Sequence, residues 1–208
     1  GTLAAGSSAV AGANGATAVG ANSKAAKVSA SAFGSNANAA AANATALGAN
    51  TQALAATSSA LGSNAQARAA GATATGYDAR VLEAAVDGTA IGARAQATAS
   101  NAVALGAGSV ADRGDSVSVG SVGSERQLTN VAAGTQDTDA VNLGQFNAAL
   151  EGVDADLAGA VKYDDAAKGT LTLEGEGGTT IANVAPGMLS ATSTEAVNGA
   201  QLFGMGDS

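Results

Sequence analysis

The chain has 208 residues, including 57 Ala, 29 Gly, no Cys and no His, and its formal net charge is -8. Without Cys and His, the sequence excludes disulfides, thiolate metal sites and catalysis by a serine–histidine or cysteine–histidine pair. Because larger apolar residues are scarce and aromatic residues make up only 2% of the chain, the composition argues against a conventional single globular core.

A fourteen-residue repeat occupies positions 1–122. A Ser/Thr-Ala-large-Gly motif ends at nine glycines, which are evenly spaced, as Gly20 and Gly34 are, except for a longer step between Gly76 and Gly92. The alternation before each glycine has the period of a β-strand, and the Asn or Asp two residues after it indicates a tight turn. A small apolar residue five positions after the glycine indicates a second strand. The repeat therefore predicts a mainly β protein, a parallel β-roll with about nine rungs stacked at strand spacing.

Large apolar residues directly before the glycines are predicted to form the core of this roll. A roll so thin should also leave apolar surface that symmetric self-association would cover. The two additional residues of the longer step lie in the charged segment 78–87 and predict a bulge, with a binding loop as the alternative. The predicted roll core consists of Val19, Phe33, Leu47, Leu61, Ile91, Leu105 and Val119.

After Gly120 the repeat stops, and residues 123–142 are predicted to be a connector. From Leu143 onward, apolar residues recur at spacings of three and four, which predicts a short coiled-coil helix over 143–161 that self-associates. Residues 169–174 alternate as a strand would, and residues 183–187 and 195–198 repeat the connector sequence in altered form. The predicted seam of the coiled coil consists of Leu143, Phe146, Leu150, Val153 and Leu157.

Together, the repeat, the connector strings 127–134 and 137–142, and the heptads resemble the head and neck of trimeric autotransporter adhesins, specifically the Yersinia adhesin A (YadA) family. The resemblance implies a left-handed β-roll head that forms an intertwined homotrimer, followed by a neck and a short trimeric coiled-coil stalk. Residues 162–208 would then be a β connector and a second, haemagglutinin-type neck motif. The resemblance also implies multivalent adhesion to host cells or extracellular matrix at the surface of a Gram-negative bacterium, with export signal and membrane anchor outside this sequence.

No catalytic, cofactor or metal site is predicted, and no ligand-contact residue can be named. The pattern Gly106-x-Gly108-x-x-Ala111 falls in the repeat columns without a following helix, and Asp137 and Asp139 lack the spacing of a calcium loop. A nearly neutral repeat region followed by an acidic remainder argues against nucleic acid as a partner. Two alternatives to adhesion remain open: an ice-binding β-solenoid with a Thr/Ser ladder, and a purely structural spacer of a surface fibre.

Overall fold

The computed structural model describes residues 1–206, apart from the side chains of residues 155 and 156. Residues 207 and 208, at the end of the predicted second neck motif, lie outside the described residues. The chain divides into two units, which we name the roll unit, Gly1–Thr129, and the connector unit, which begins at Asn130.

In its described residues the roll unit contains seventeen short strands. In chain order they are β1 (Leu3–Ala5), β2 (Val10–Ala11), β3 (Thr17–Val19), β4 (Lys24–Ala25), β5 (Ser31–Phe33), β6 (Asn38–Ala39), β7 (Thr45–Leu47), β8 (Gln52–Ala53), β9 (Ser59–Leu61), β10 (Gln66–Ala67), β11 (Thr73–Thr75), β12 (Arg80–Val81), β13 (Thr89–Ile91), β14 (Gln96–Ala97), β15 (Val103–Leu105), β16 (Val110–Ala111) and β17 (Val117–Ser118). The odd-numbered strands form one nine-stranded sheet, sheet A, and the even-numbered strands form an eight-stranded sheet, sheet B. Neighbouring strands are parallel and lie one repeat apart in the sequence, as in Thr45 opposite Ser59, and the same register continues across the longer repeat, as in Thr73 opposite Thr89. The predicted mainly β fold, a parallel solenoid of fourteen-residue repeats, is confirmed, with eight full turns and the first strand of a ninth.

Two turns in each repeat reverse the chain, and both contain a residue with positive φ. The first turn starts at the repeat glycine, with φ between 108° and 136° for Gly6 to Gly106, and continues through a left-handed residue such as Asn36. A Cβ atom on Gly34 would lie 2.5 Å from the carbonyl oxygen of Gly48, so the stacked rungs require glycine there. The second turn has its own left-handed column, which the repeat motif did not reveal: Gly15, Ser29, Asn43, Thr57, Gly71, Asp87, Asn101 and Asp115.

Alanine fills the interior of the roll. Four small side chains of each repeat point inward, and in one repeat these are the fully buried Ala30, Ala32, Ala37 and Ala39. The few buried polar side chains include Thr51, whose Oγ1 donates a hydrogen bond of 2.8 Å to the carbonyl oxygen of Gly62. Sheets A and B therefore pack through methyl groups, and the space between them admits little more.

The structure corrects the predicted roll core, because the large side chains lie outside the alanine interior. Within each sheet A strand the middle alanine points inward, so the residues on both sides of it must point outward. The large residues are accordingly partly or well exposed: Val19 and Val119 are half-buried, and Phe33, Leu47, Leu61, Ile91 and Leu105 are 37–47% exposed.

In the longer repeat, the two additional residues widen the second turn between β12 and β13. This repeat places the larger Val81 and the additional Ala85 inside the roll, where both are fully buried. Gly88 stands where most other repeats have an inward alanine, and a Cβ there would lie 3.0 Å from the Ala85 Cβ and 3.1 Å from Val81 Cγ1. The missing methyl group thus makes room for the larger neighbours.

Arg126 covers the last rung of the roll unit. Its guanidinium donates hydrogen bonds to the carbonyl oxygens of Ala107 and Val119 and, over 2.9 Å, to Ser109 Oγ. The neighbouring carboxylate of Glu125 accepts a hydrogen bond of 2.8 Å from the backbone N–H of Gly123. Hydrogen bonds from its own backbone N–H and from that of Gly123 lower the pKa of Glu125. Arg126 therefore forms hydrogen bonds with carbonyl oxygens of the last rung that have no further strand to bond to.

The connector unit contains two helices, α1 (Leu143–Ala158) and α2 (Gly199–Gly206). In α1 the residues Leu143, Phe146, Leu150, Val153 and Leu157 are 45–72% exposed in the single chain. The strand predicted over 169–174 is not formed, because the single chain offers it no partner strand; instead the Asp164 carboxylate accepts hydrogen bonds of 2.8 Å from both Thr172 N and Thr172 Oγ1. In the described part of the chain, no helix is long and apolar enough to cross a membrane.

Candidate functional site

The outer side of sheet A forms an uncharged surface, which we call the apolar face. Most of its strands present a Thr, Ser or other uncharged residue and then a large one, as Ser31 and Phe33 do in β5. The register is parallel throughout, so the large side chains stand in one row at the strand spacing of about 4.8 Å. This row consists of Val19, Phe33, Leu47, Leu61, Ile91 and Leu105, and is interrupted by Thr75.

The outer side of sheet B has the opposite character, and we call it the polar face. Its main row carries amide and basic side chains, and it contains Lys24, Asn38, Gln52, Gln66, Arg80 and Gln96. Because the inward residues of these strands are alanine or Val81, every longer side chain of sheet B is outside the roll. The roll unit thus has one apolar face and one polar face, and the polar face can form hydrogen bonds with a partner.

The longer repeat differs from the others on every side. It carries Thr75 in the large row, the exposed Tyr77 in the first turn and an ion pair of 2.9 Å between Arg80 and Asp78 next to the polar face. The widened second turn exposes Glu83 as well. Charge and aromatic surface are therefore concentrated in one band of an otherwise neutral roll.

In the connector unit, a glutamine fastens the chain ahead of each helix. Gln145 Oε1 accepts a hydrogen bond of 2.8 Å from Gly134 N, and Gln145 Nε2 donates one of 3.0 Å to the carbonyl oxygen of Gly134. Asn142 caps α1 by accepting a hydrogen bond from Gln145 N, and its Nδ2 donates to the carbonyl oxygen of Val131. We call this arrangement the Asn-Gln clasp.

The second connector repeats the clasp with different spacing. Gln201 forms the same pair of hydrogen bonds with Gly187, and Asn198 Nδ2 donates to the carbonyl oxygen of Val184 over 3.0 Å. A Cβ on Gly187 would meet the carbonyl oxygen of Ala196, just as one on Gly134 would lie 3.0 Å from that of Ala140. The connector strings pointed to both asparagines, but the glutamine three residues later was missed, although Asn-x-x-Gln occurs in both copies.

Asp139 and Glu195 occupy matching places in the two connectors. The Asp139 carboxylate accepts hydrogen bonds from the backbone N–H groups of Thr135 and Gln136 at 2.9 and 3.0 Å, and these lower its pKa. Glu195 Oε2 accepts one of 2.7 Å from Met188 N. Each carboxylate therefore binds its own loop, and the described residues contain no group of three or more acidic side chains that could hold a metal ion.

Two family models match the chain. A model described as the coiled stalk of trimeric autotransporter adhesin matches residues 127–168 and 180–208. A model described as two copies of the YadA head domain repeat matches residues 25–51, 53–79, 85–109 and 97–121. The head model thus falls on the roll unit, and almost all of the stalk model falls on the connector unit.

Individual proteins are similar to parts of this chain. The trimeric autotransporter adhesin AtaA of Acinetobacter sp. (strain Tol 5) is 45% identical over 83 residues, which are 38% of this chain but only 2% of that protein. The crystal structure of the collagen-binding domain of Yersinia adhesin YadA is similar with a TM-score of 0.50 and 29% identity, over 72% of this chain and 88% of that one. A structure of the AtaA C-terminal stalk from Acinetobacter sp. Tol 5, fused to GCN4 adaptors, has 38% identity and a TM-score of 0.31 over 47% of this chain and 27% of that one.

Proposed function

Because the chain belongs to the trimeric autotransporter adhesin family, we propose that it forms a homotrimer that attaches a bacterium to host cells or extracellular matrix. In this proposal residues 1–122 are a left-handed β-roll head, residues 123–142 a neck and residues 143–161 a trimeric coiled-coil stalk. Residues 162–208 are a β connector and a second neck. Family members are displayed on the outer membrane and are typically not enzymes, and we propose the same for the protein that contains this chain.

The apolar face is the observation that carries the proposal. Phe33, Leu47 and Leu105 each leave 38–47% of their surface exposed in the single chain, although water is a poor environment for them. Burying the exposed part of one such side chain gains about 1–2 kcal/mol, and the row repeats this on six of the nine strands of sheet A. A continuous uncharged stripe fits another copy of itself, so we assign the apolar face to the contacts between subunits.

The exposed seam of α1 supports self-association of the connector unit as well. Sixteen residues form a helix that is marginal in isolation, and its apolar residues recur at heptad positions. Three copies packed through Leu143, Leu150 and Leu157 would cover these side chains. Replacement of Phe146 and Leu150 by Asp should therefore release monomers from a fragment of residues 123–208, and a fragment that stays trimeric would refute the proposed register.

Adhesion in this proposal depends on repetition. The polar face offers many similar, shallow contacts, and a trimer presents three such faces, so weak contacts add up through avidity. The similarity to a collagen-binding domain makes collagen the first candidate among matrix partners. The ice-binding alternative is less well supported, because the Thr/Ser column shares its face with side chains as large as Phe33 and continues into Val103 and Val117. A purely structural spacer remains as the outcome if no partner binds.

Light scattering of the intact chain, with circular dichroism on the same sample, tests assembly first. A mass of three chains with a strong β signal is expected, whereas a folded monomer would contradict the trimer. Binding to collagen-coated and uncoated surfaces then tests adhesion. A variant with Leu47→Ser and Leu61→Ser should assemble less well than the unchanged chain. Any collagen binding that depends on avidity should weaken with it.

A further inference from the structure

Three arginines lie on a diagonal across the polar face. In sheet B, Arg80 stands opposite Gln66 on one side and opposite Gln96 on the other. Arg68 follows Gln66 by two residues, and Arg94 precedes Gln96 by two. The three arginines therefore occupy successive rungs, each displaced along the strand direction from the one before. We call this set the arginine diagonal.

Strand geometry sets the spacing of the diagonal. Adjacent strands are about 4.8 Å apart and two residues advance by about 6.6 Å, so the Cα atoms of Arg68 and Arg80 are separated by about 8 Å. Arg94 lies in the first turn, with φ of 59°, at the edge of sheet B. Arg68, Arg80 and Arg94 are all exposed, and the residues in register with Arg68 on the adjacent rungs, Leu54 and Leu82, are half-buried. Three guanidinium groups are thus available on successive rungs, one of them at the edge of the polar face.

Only part of this charge is neutralised locally. Asp78 pairs with Arg80 at 2.9 Å, and one nitrogen of Arg68 donates to Gln66 Oε1 over 2.6 Å. Within the described residues, the guanidinium of Arg94 has no hydrogen-bond or ion-pair partner. Glu83 and Asp87 belong to the second turn, at the opposite edge of sheet B from Arg94. That edge is the one where Arg68 lies, but neither carboxylate forms an ion pair with it among the described residues, so Asp78 is the carboxylate that pairs with the diagonal.

An aromatic ring and two amides accompany the arginines. Tyr77 is 56% exposed, and its carbonyl oxygen accepts a hydrogen bond of 2.8 Å from Arg94 N, which places the two residues on adjacent rungs. Gln66 and Gln96 flank Arg80 and are half-buried, with amide groups that can both donate and accept. The surface therefore combines anion-binding forks, a ring face and neutral hydrogen-bonding groups.

We propose that the arginine diagonal binds an anionic polysaccharide that carries sulfate and carboxylate groups. A guanidinium fork matches either oxyanion with two parallel hydrogen bonds, which makes arginine better suited to them than lysine. The Tyr77 ring packs against a sugar ring, and the amides of Gln66 and Gln96 bind sugar hydroxyls. Charges on successive rungs, about 8 Å apart where the backbone is extended, suit an extended polymer with intermittent charge.

This inference rests on the proposed function in one respect, because the trimer contacts of the apolar face leave the polar face of each subunit free. The three copies of the diagonal in one trimer then bind one polymer or several at once. Avidity raises the overall affinity above that of a single shallow contact. For the arginine diagonal, the proposed partner is therefore one component of the extracellular matrix, its sulfated glycans.

The test uses the intact chain and immobilised heparin as the probe. The variant with Arg68→Gln, Arg80→Gln and Arg94→Gln should bind at least about tenfold more weakly and with a shallower dependence on salt, since fewer ion contacts form. The matched control replaces Lys27, Arg113 and Lys162 by Gln, removes the same charge outside the main row of the polar face and should change binding by less than about twofold. Tyr77→Ala should weaken binding while leaving the salt dependence unchanged.

Comparison probes and the mass of each variant separate the possible outcomes. Equal losses in the two triple variants, equal binding of polyglutamate or duplex DNA, or no binding of heparin would overturn the glycan assignment. Light scattering on the same samples reports the trimer independently. If the chain is a trimer but does not bind heparin, the proposed glycan site is refuted and the proposed trimer is not. If the chain is a monomer that binds heparin through the diagonal, the proposed trimer is refuted and the glycan site is retained.

Discussion

Replacing Gly34 by Ala should destabilise the roll far more than a small surface change would. Gly34 has φ of 129°, in a region that L-residues rarely adopt. An added Cβ would lie 2.5 Å from the carbonyl oxygen of Gly48 and 2.6 Å from its carbonyl carbon. Both atoms belong to the backbone of the next rung, so no side-chain rotation can relieve the overlap.

The size of the effect follows from what holds that rung in place. Gly48 N donates a hydrogen bond of 2.8 Å to the carbonyl oxygen of Phe33, which precedes Gly34, so separating the rungs breaks the ladder at that point. Backbone strain at such a φ costs about 1–3 kcal/mol. Adding the loss of at least one ladder hydrogen bond, about 1 kcal/mol, and displaced alanine contacts, we expect a total loss of about 4 kcal/mol or more.

Gly108→Ala is the matched control, because Gly108 has φ of 70° and no atom within 4 Å of an added Cβ. It should lose only the left-handed penalty of about 1–2 kcal/mol. Thermal unfolding followed by circular dichroism, at one protein concentration, should show a drop of about 2–4 °C in Tm per kcal/mol for a chain of this size. Equal drops in the two variants would refute the argument that rung contact, rather than φ alone, selects glycine.

Three further predictions concern single groups. Ser23→Ala should raise the free energy of unfolding by about 1 kcal/mol in urea titrations, because the buried Ser23 Oγ has no hydrogen-bond partner among the described residues; a loss of stability would show that the hydroxyl is bonded. Asp139 has a lowered pKa, so its contribution is present above its unfolded-state pKa and is lost as pH falls through the folded-state pKa. A carbon-detected NMR titration should give a midpoint below the ordinary aspartate value, and an ordinary midpoint would contradict the loop contacts. Gln145→Leu should speed amide exchange of Gly134 without affecting the second connector, whereas Gln201→Leu should do the reverse; equal effects in both connectors would show that the clasps are not independent.

The repeat predicted the topology well because stacking is decided by period. Regular spacing, alternation and turn residues were enough to predict two parallel sheets that continue through the longer repeat. The side that each residue faces could not be obtained from size. Phe33 is larger than Ala32 and was therefore predicted to be inside, yet four inward side chains per repeat leave room only for methyl groups. The rule that large apolar residues are buried fails when a single chain cannot supply the surface that covers them.

The functional surfaces were harder to predict for a related reason. Arg68, Arg80 and Arg94 lie roughly one repeat apart along the chain, so they look scattered in the sequence and become neighbours only when the rungs are stacked. The Asn-Gln clasp joins Gly134 to Gln145 in one connector, while the second copy joins Gly187 to Gln201 across a longer loop. Contacts of this kind depend on loop geometry, which spacing alone does not specify.

The ladder that joins the rungs also constrains how the roll unit can form. In the regular repeats, backbone donors reach acceptors on the adjacent rung, as from Thr17 to Ala30 and from Gly34 to Val19, and the two strands of a rung contact only their own neighbours. One more rung can therefore fold by pairing its two strands with the last ordered rung. This step needs no contact with distant parts of the chain. A polypeptide threaded through a narrow passage could order one rung at a time as it emerges. Ordering on the outer side would hinder backward sliding, so formation of the roll could itself drive the movement of the chain.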